Sequence, residues 1–222
     1  MKQTLIACAM LENEIKKIYE KTGSRIPVIW LERGYHNTPE KLRGKLQELI
    51  DGLQDQDEIL LTFGLCGNGT AGLVSRHTTL VLPRFDDCIN MLLCRSQRKA
   101  RGLTEIGTIY LTRGWTLDQE AILAQYDHYV EIYGPEAADE ILETLYAHYE
   151  KIAVIDTGCY DLAATQSYAQ EAARLLNLST DTVIGSTKIL EQLLTGQWDE
   201  NFIVQRPGEP LGIQEWELPG KD

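Results

Sequence analysis

Two stretches of this chain, ILLTFGL (59–65) and IAVID (152–156), are nearly continuous apolar runs. A strand that is apolar on both sides must be covered on both faces, as strands inside a parallel sheet are. Strand-like segments at 3–10, 26–32, 57–65, 78–83, 107–115, 151–158 and 181–186 alternate with helix-like segments almost throughout. Among the latter, 12–21 is closed by Gly23, and a second helix runs from Thr38-Pro39 to Gly52, with threonine as N-cap and proline in the first turn. Others start at Asp86 or Asp87 and pass Cys94, span 163–176, and end at Leu194. The alternation predicts an α/β fold of three layers, a mainly parallel sheet with helices on both faces.

At 222 residues and 43% hydrophobic, the chain can bury one core, so residues 1–222 read as a single domain. Residues 116–150 differ in being helical and rich in tyrosine, and Gly134-Pro135 divides them. They predict a helical hairpin inserted on the sheet. Tyr126, Tyr129 and Tyr133 share one helical face and Tyr146 and Tyr149 another. Such stripes either pack inward or form a homodimer surface. The tail 198–222 is irregular, with FIVQ (202–205) as an edge strand.

The formal charge of −12 repels phosphate backbones, which argues against nucleic acid as a partner. One basic cluster, Arg95 to Arg101, suits a solvated helix end or a local docking patch. No apolar run nears the roughly 20 residues of a membrane span, and the first residues do not resemble a signal peptide. A cytoplasmic location is expected. There the odd count of five cysteines points to metal or redox chemistry rather than to disulfides.

Four of these cysteines end strand-like segments: Cys8, Cys66, Cys88 and Cys159. In an open parallel sheet all carboxyl ends lie along one edge, where ligands bind. Thiols far apart in sequence can therefore meet, and a thiolate site for a metal or cluster is the expectation. Cys66 opens the run Cys-Gly67-Asn68-Gly69-Thr70, whose glycines let backbone N–H groups approach a bound anion or cofactor. The same run also suits a plain tight turn. Cys88 follows Asp86-Asp87 at a helix start, a position that favours thiolate, although Asp87 can equally be a simple N-cap over a buried cysteine. His36, in the turn after the second strand, sits at the same edge and would complete a Cys/His set. Cys94 reads as core, and His77, His128 and His148 as remote from the edge. No CxxC, HExxH or GxSxG is present, so the metal reading rests on tertiary convergence.

The runs GLCGNGTAGL, LPRFDDCINMLL, IYLTRGW, VIDTGCYDL and GSTKILEQLLTGQWDENFIV, with YHNTPEKLR, resemble the bacterial and archaeal family known as domain of unknown function 1638. The resemblance spans about residues 4–205. It implies a role beside corrinoid-dependent methyltransferase systems in one-carbon metabolism, with a corrinoid protein or a methyltransferase as partner. It also implies that Cys8, Cys66, Cys88 and His36 belong to the family pattern, and it singles out neither Cys94 nor Cys159.

Three expectations follow. The first is a metal-binding protein in which Cys8, Cys66 and Cys88 ligate zinc or an iron–sulfur cluster and His36 is a fourth ligand or its neighbour. The second is a metal-free module binding a small molecule or a corrinoid, with the Gly67-Asn68-Gly69-Thr70 turn, Arg84 and the Gly158–Asp161 turn lining its pocket. The third is thiol catalysis by Cys88 with His36 as base.

Overall fold

Strand β1 (Gln3–Cys8) sends Leu5 and Ala7 to one face and Ile6 to the other, and all three are fully buried. Leu5 and Ala7 meet Leu11, Ile15 and Ile18 at and within helix α1 (Glu12–Thr22), whereas Ile6 meets Leu42, Leu46 and Ile50 of helix α2 (Pro39–Gly52). The chain is thus covered on both faces where its sequence is apolar on both sides. Gly23 ends α1 in the left-handed conformation (φ 70°), its N–H donating to Tyr19 O. Pro39 opens α2 as expected, but Thr38 before it makes no side-chain capping bond.

The computed structural model describes residues 1–35, 38–53, 55–93 and 104–216. Strands β1, β2 (Val28–Leu31), β3 (Glu58–Leu61), β4 (Thr79–Pro83) and β8 (Phe202–Gln205) form a five-stranded sheet in the order β2-β1-β3-β4-β8. The first four are parallel, with Cys8 opposite Leu31 and Ile6 opposite Leu61, and β8 is antiparallel on β4. Strands β5 (Thr108–Leu111), β6 (Lys151–Asp156) and β7 (Ser179–Ile184) form a second, parallel sheet. The α/β class with mainly parallel strands holds, but the strands divide between two sheets where the sequence suggests one. At β4 the outer edge is taken by the antiparallel β8, so β5 does not continue the parallel order beside β4 and pairs with β6 instead.

Helices α4 (Ile122–Tyr133) and α5 (Pro135–Tyr146) lie in the connection between β5 and its parallel partner β6. With α6 (Leu162–Leu176) they cover one face of the second sheet, where Ile122, Leu142 and Ala169 meet Ile152 and Val154. Tyr126, Tyr129 and Tyr146 pack on this cluster, whereas Tyr133 is 59% exposed. Helix α7 (Lys188–Thr195) shares a cluster with α1, and that cluster takes in Leu5 and Val81 of the first sheet and Ile155 of the second. The α1–α7 layer therefore meets both sheets. Helix α3 is described over Cys88–Leu93. Cys94 and the basic cluster 95–101 lie outside the described residues.

Candidate functional site

In the order β2-β1-β3-β4 the chain leaves β1 toward β2 and then crosses to the other side of β1, so α1 and α2 fall on opposite faces. The gap between β1 and β3 is a topological switch point, where open α/β sheets bind ligands beyond the carboxyl ends of the strands. Cys8 is the last residue of β1, and its N–H donates to the buried hydroxyl of Thr62 (3.0 Å). Cys66 follows β3, and Cys88 opens α3 after β4.

Cys66, Gly67 and Asn68 all have positive φ, at 46°, 63° and 72°. Two non-glycine residues in the left-handed region are uncommon, and such strain persists only where surroundings impose it. Here Cys66 N–H donates to Asp86 O (2.8 Å), Gly69 N–H to Cys66 O (3.0 Å) and the Arg43 guanidinium to Asn68 O (2.7 Å). Thr70 is fully buried, and its hydroxyl donates to Gly64 O (2.7 Å), so it braces the turn from inside. Gly69 packs on α2 so closely that a Cβ would stand 2.7 Å from Leu42 Cδ2. Gly64 lets the chain beyond β3 run against the chain beyond β4: Leu65 N–H donates to Phe85 O (2.8 Å), and a Cβ on Gly64 would overlap that same carbonyl. This staple brings Cys66 beside Cys88. Asp87 is the N-cap of α3, Oδ1 accepting from Asn90 N–H at 2.7 Å.

Cys8, Cys66 and Cys88 line one cavity of about 240 Å3, together with Met10, Thr62 and Trp115. Trp115 arrives from the second sheet, just beyond β5. Gly114 makes this contact feasible, because a Cβ there would overlap the Met10 carbonyl. Each thiol residue keeps some accessible area. For Cys8, Cys66 and Cys88 that residue area is consistent with their place on the cavity wall. Burial pushes the Cys8 thiol up to about 11, with Arg33 and a bond to Met10 opposing it. Burial, then the negative forms of Cys8 and Asp87, pushes Cys66 up to about 12. Cys88 rises well above the ordinary thiol range through burial, then through Cys8, Cys66 and Asp87. The negative form of each thiol in turn raises its neighbours. At the start of α3 these effects run against the thiolate that the position was expected to favour.

The other expected participants are placed differently. His36 lies outside the described residues. Among the described residues, no group of three or more His, Cys, Asp or Glu side chains is arranged to hold a metal ion. Cys159 lies in the turn after β6, its thiol donating to Thr157 O (3.4 Å), and is not in the lining of the cavity that the other three thiols share. Arg84 is turned away from the cavity, its guanidinium donating to the carbonyls of Glu200, Phe202 and Glu215. In the Gly158–Asp161 turn, Gly158 N–H donates to Asp156 (2.9 Å), and Asp161 caps α6 through Ala164 N–H (3.2 Å). His77 is exposed. Sequence reasoning missed Trp115 as a wall of the cavity. The one signal is the Gly-Trp pair after the strand IYLTRG, which allows a close approach followed by a large ring. It also missed Glu14, a fully buried carboxyl on α1: Oε1 accepts from Thr157 (2.9 Å), while Oε2 has no hydrogen-bond partner among the described residues. Burial raises its pKa.

No helix among the described residues is long and apolar enough to cross a membrane. The model of the family described as protein of unknown function (DUF1638) matches residues 30–194 of this chain. No curated protein and no solved structure matches it.

Proposed function

We propose that this chain, which belongs to the DUF1638 family, is a soft-metal protein whose thiols Cys8, Cys66 and Cys88 take zinc or an iron–sulfur cluster at the switch point of its first sheet. The observation that carries this reading is the meeting of three thiols from three strand ends in one cavity, with Cys66 held in a left-handed backbone conformation to get there. The donor chemistry fits. Three sulfurs that burial and mutual repulsion keep protonated gain most from a cation, which returns the stabilisation that desolvation removes. Thiolate sets select zinc or iron–sulfur clusters over harder metals. Closure on such a centre takes changes of thiol rotamer, with His36 as a fourth ligand or a neighbour that orients the set. Bound there, zinc would supply Lewis-acid activation and a cluster would supply an electron.

The service of this site to corrinoid-dependent one-carbon metabolism rests on the family resemblance. A cavity of about 240 Å3 is smaller than the roughly 300–1,000 Å3 of drug-sized ligand sites, so a corrinoid is met as a partner at the edge rather than enclosed. The test is anaerobic purification followed by metal analysis and an absorption spectrum. Stoichiometric zinc, or sulfide-to-iron charge-transfer bands, supports the reading. Metal-free protein with all three thiols open to alkylation after unfolding, and no uptake of zinc or iron on reconstitution, overturns it. A metal-free small-molecule module is the second reading, favoured by the burial that raises all three thiols and by the apolar Met10, Phe63, Ile89 and Trp115 around them. Replacing Cys66 and Cys88 by serine separates the two: lost metal supports the first, and unchanged ligand affinity in a folded protein supports the second.

A further inference from the structure

Trp115 also lines a second cavity, of about 360 Å3, beside the unpaired edge strand β5. Trp115, Tyr146, Tyr149 and Tyr168 line it. The rings of Tyr146 and Tyr149 are 5.8 Å apart and tilted by 52°, so they present two differently inclined faces. Tyr168 is fixed by the Leu123 N–H that its hydroxyl accepts (3.2 Å).

Two acids reach this aromatic lining, Asp118 and Glu120. Asp118 is 8% exposed; its Oδ1 accepts from Glu120 N–H (2.8 Å), and its Oδ2 is buried with no hydrogen-bond partner among the described residues. A buried carboxylate oxygen without a partner is costly, and native structures seldom keep one without a reason. Asp118 also lines the adjoining cavity, where the cation, Arg33, is engaged with Glu12 (3.5 Å). No lysine or arginine among the described residues lines the aromatic cavity.

We propose that this cavity binds a small organic cation, with the aromatic faces around its alkylated nitrogen and Asp118 as counter-ion. Ring faces attract a cation through their quadrupoles, and alkyl groups on nitrogen spread the charge over a surface that rings can cover. A neutral apolar ligand would use the rings but leave Asp118 Oδ2 unanswered, and an anion would oppose both Asp118 and Glu120. The net charge of −12 adds a long-range attraction for cations. The inference does not depend on a metal at the thiols, because no cysteine lines this cavity.

The test is calorimetric titration of the full chain with choline and with 3,3-dimethylbutan-1-ol, which replaces the charged nitrogen by carbon at nearly the same shape. Choline is expected to bind about tenfold or more tightly than its neutral counterpart. Asp118→Asn should weaken choline by about tenfold while leaving the alcohol unaffected. Tyr149→Ala, at the half-open rim, should weaken choline several-fold, whereas Tyr133→Ala, outside the cavity, should not change it. Equal affinity for choline and the alcohol overturns the proposal, as does the absence of saturable choline binding in the millimolar range. Full choline affinity in a folded Asp118→Asn protein does so too. Should Asp118→Asn fail to fold, the choline-to-alcohol ratio and Tyr149→Ala still decide.

Discussion

Cys66 and Cys159 occupy the same kind of place, a glycine-containing turn just past the carboxyl end of a buried parallel strand, yet their surroundings have little in common. Cys66 is enclosed by a second chain segment stapled on through Leu65 and Phe85, by α2 underneath and by Trp115 from the other sheet. Cys159 sits in an open turn, its thiol donating to the carbonyl of Thr157 (3.4 Å), with nothing within 4 Å of a Cβ placed on Gly158. Both thiols are raised, first by burial; the deeper burial of Cys66, with Cys8 and Asp87 adding to it, takes that thiol up to about 12. A strand end becomes a site when other elements close over it. The second sheet's strand end keeps instead a single buried carboxyl, Glu14, reaching Thr157 from α1.

The most severe way to break this contrast is at the glycines. Gly114→Ala drives a Cβ into the Met10 carbonyl and should cost about 3 kcal/mol, opening the thiol cavity as the two sheets part. Gly158→Ala meets nothing and pays only for its positive φ (68°), about 1 kcal/mol. Urea unfolding of both variants gives the ranking, and equal losses would mean that closure at Gly114 is not what separates the two strand ends.

Glu14→Gln comes next. Burial raises the folded-state pKa of Glu14. The stability linked to it is therefore fully present below the unfolded carboxyl value, near ~4.3, and is lost as pH rises through the raised value. Glutamine removes that loss, so the variant should gain about 1–2 kcal/mol over the parent near pH 7 and little at pH 4. Unfolding curves at the two pH values check the sign; a gain that is larger in acid refutes it.

A smaller effect is expected in thiol reactivity. In metal-free protein at pH 8, iodoacetamide should modify Cys159 about tenfold or more faster than Cys8, Cys66 or Cys88, because thiolate is the reacting form. Peptide mapping over time reads the order, and early labelling of Cys88 would restore the idea of a primed nucleophile there. The mildest change is Asn68→Gly, which relieves a left-handed residue (φ 72°) on the exposed tip of the Cys66 turn. It should raise stability by about 0.5 kcal/mol or less. A clear loss would show that the Asn68 side chain, rather than the turn's backbone bonds, holds Cys66 in place.

Much of this arrangement is legible in the sequence. Apolar runs flanked by helical periodicity locate β1, β3, β4 and β6, and Pro39, Gly23 and Gly134-Pro135 mark helix boundaries that the structure keeps. Placing Cys8, Cys66 and Cys88 at one edge needs only parallel strands with crossovers of one hand. The separation of Cys159 is not legible, because VIDTGC and LTFGLC carry the same local signals and differ in which sheet receives the strand. Nor is Thr70's role: beside two glycines a threonine suits a ligand loop, and only its buried bond to Gly64 shows that it braces the turn.

The sequence by itself determines the α/β class, the strand-end positions of the thiols and the family, since these depend on local periodicity, turn residues and motif blocks. Tertiary structure alone decides that β8 takes the outer edge of β4, that the remaining strands form a second sheet, and that Trp115 lines both a thiol cavity and an aromatic one. The physical reason is that strand pairing and close backbone approach are contacts between distant segments. Their energies depend on shape and on which edges remain unpaired, and neither is written in any one stretch of chain.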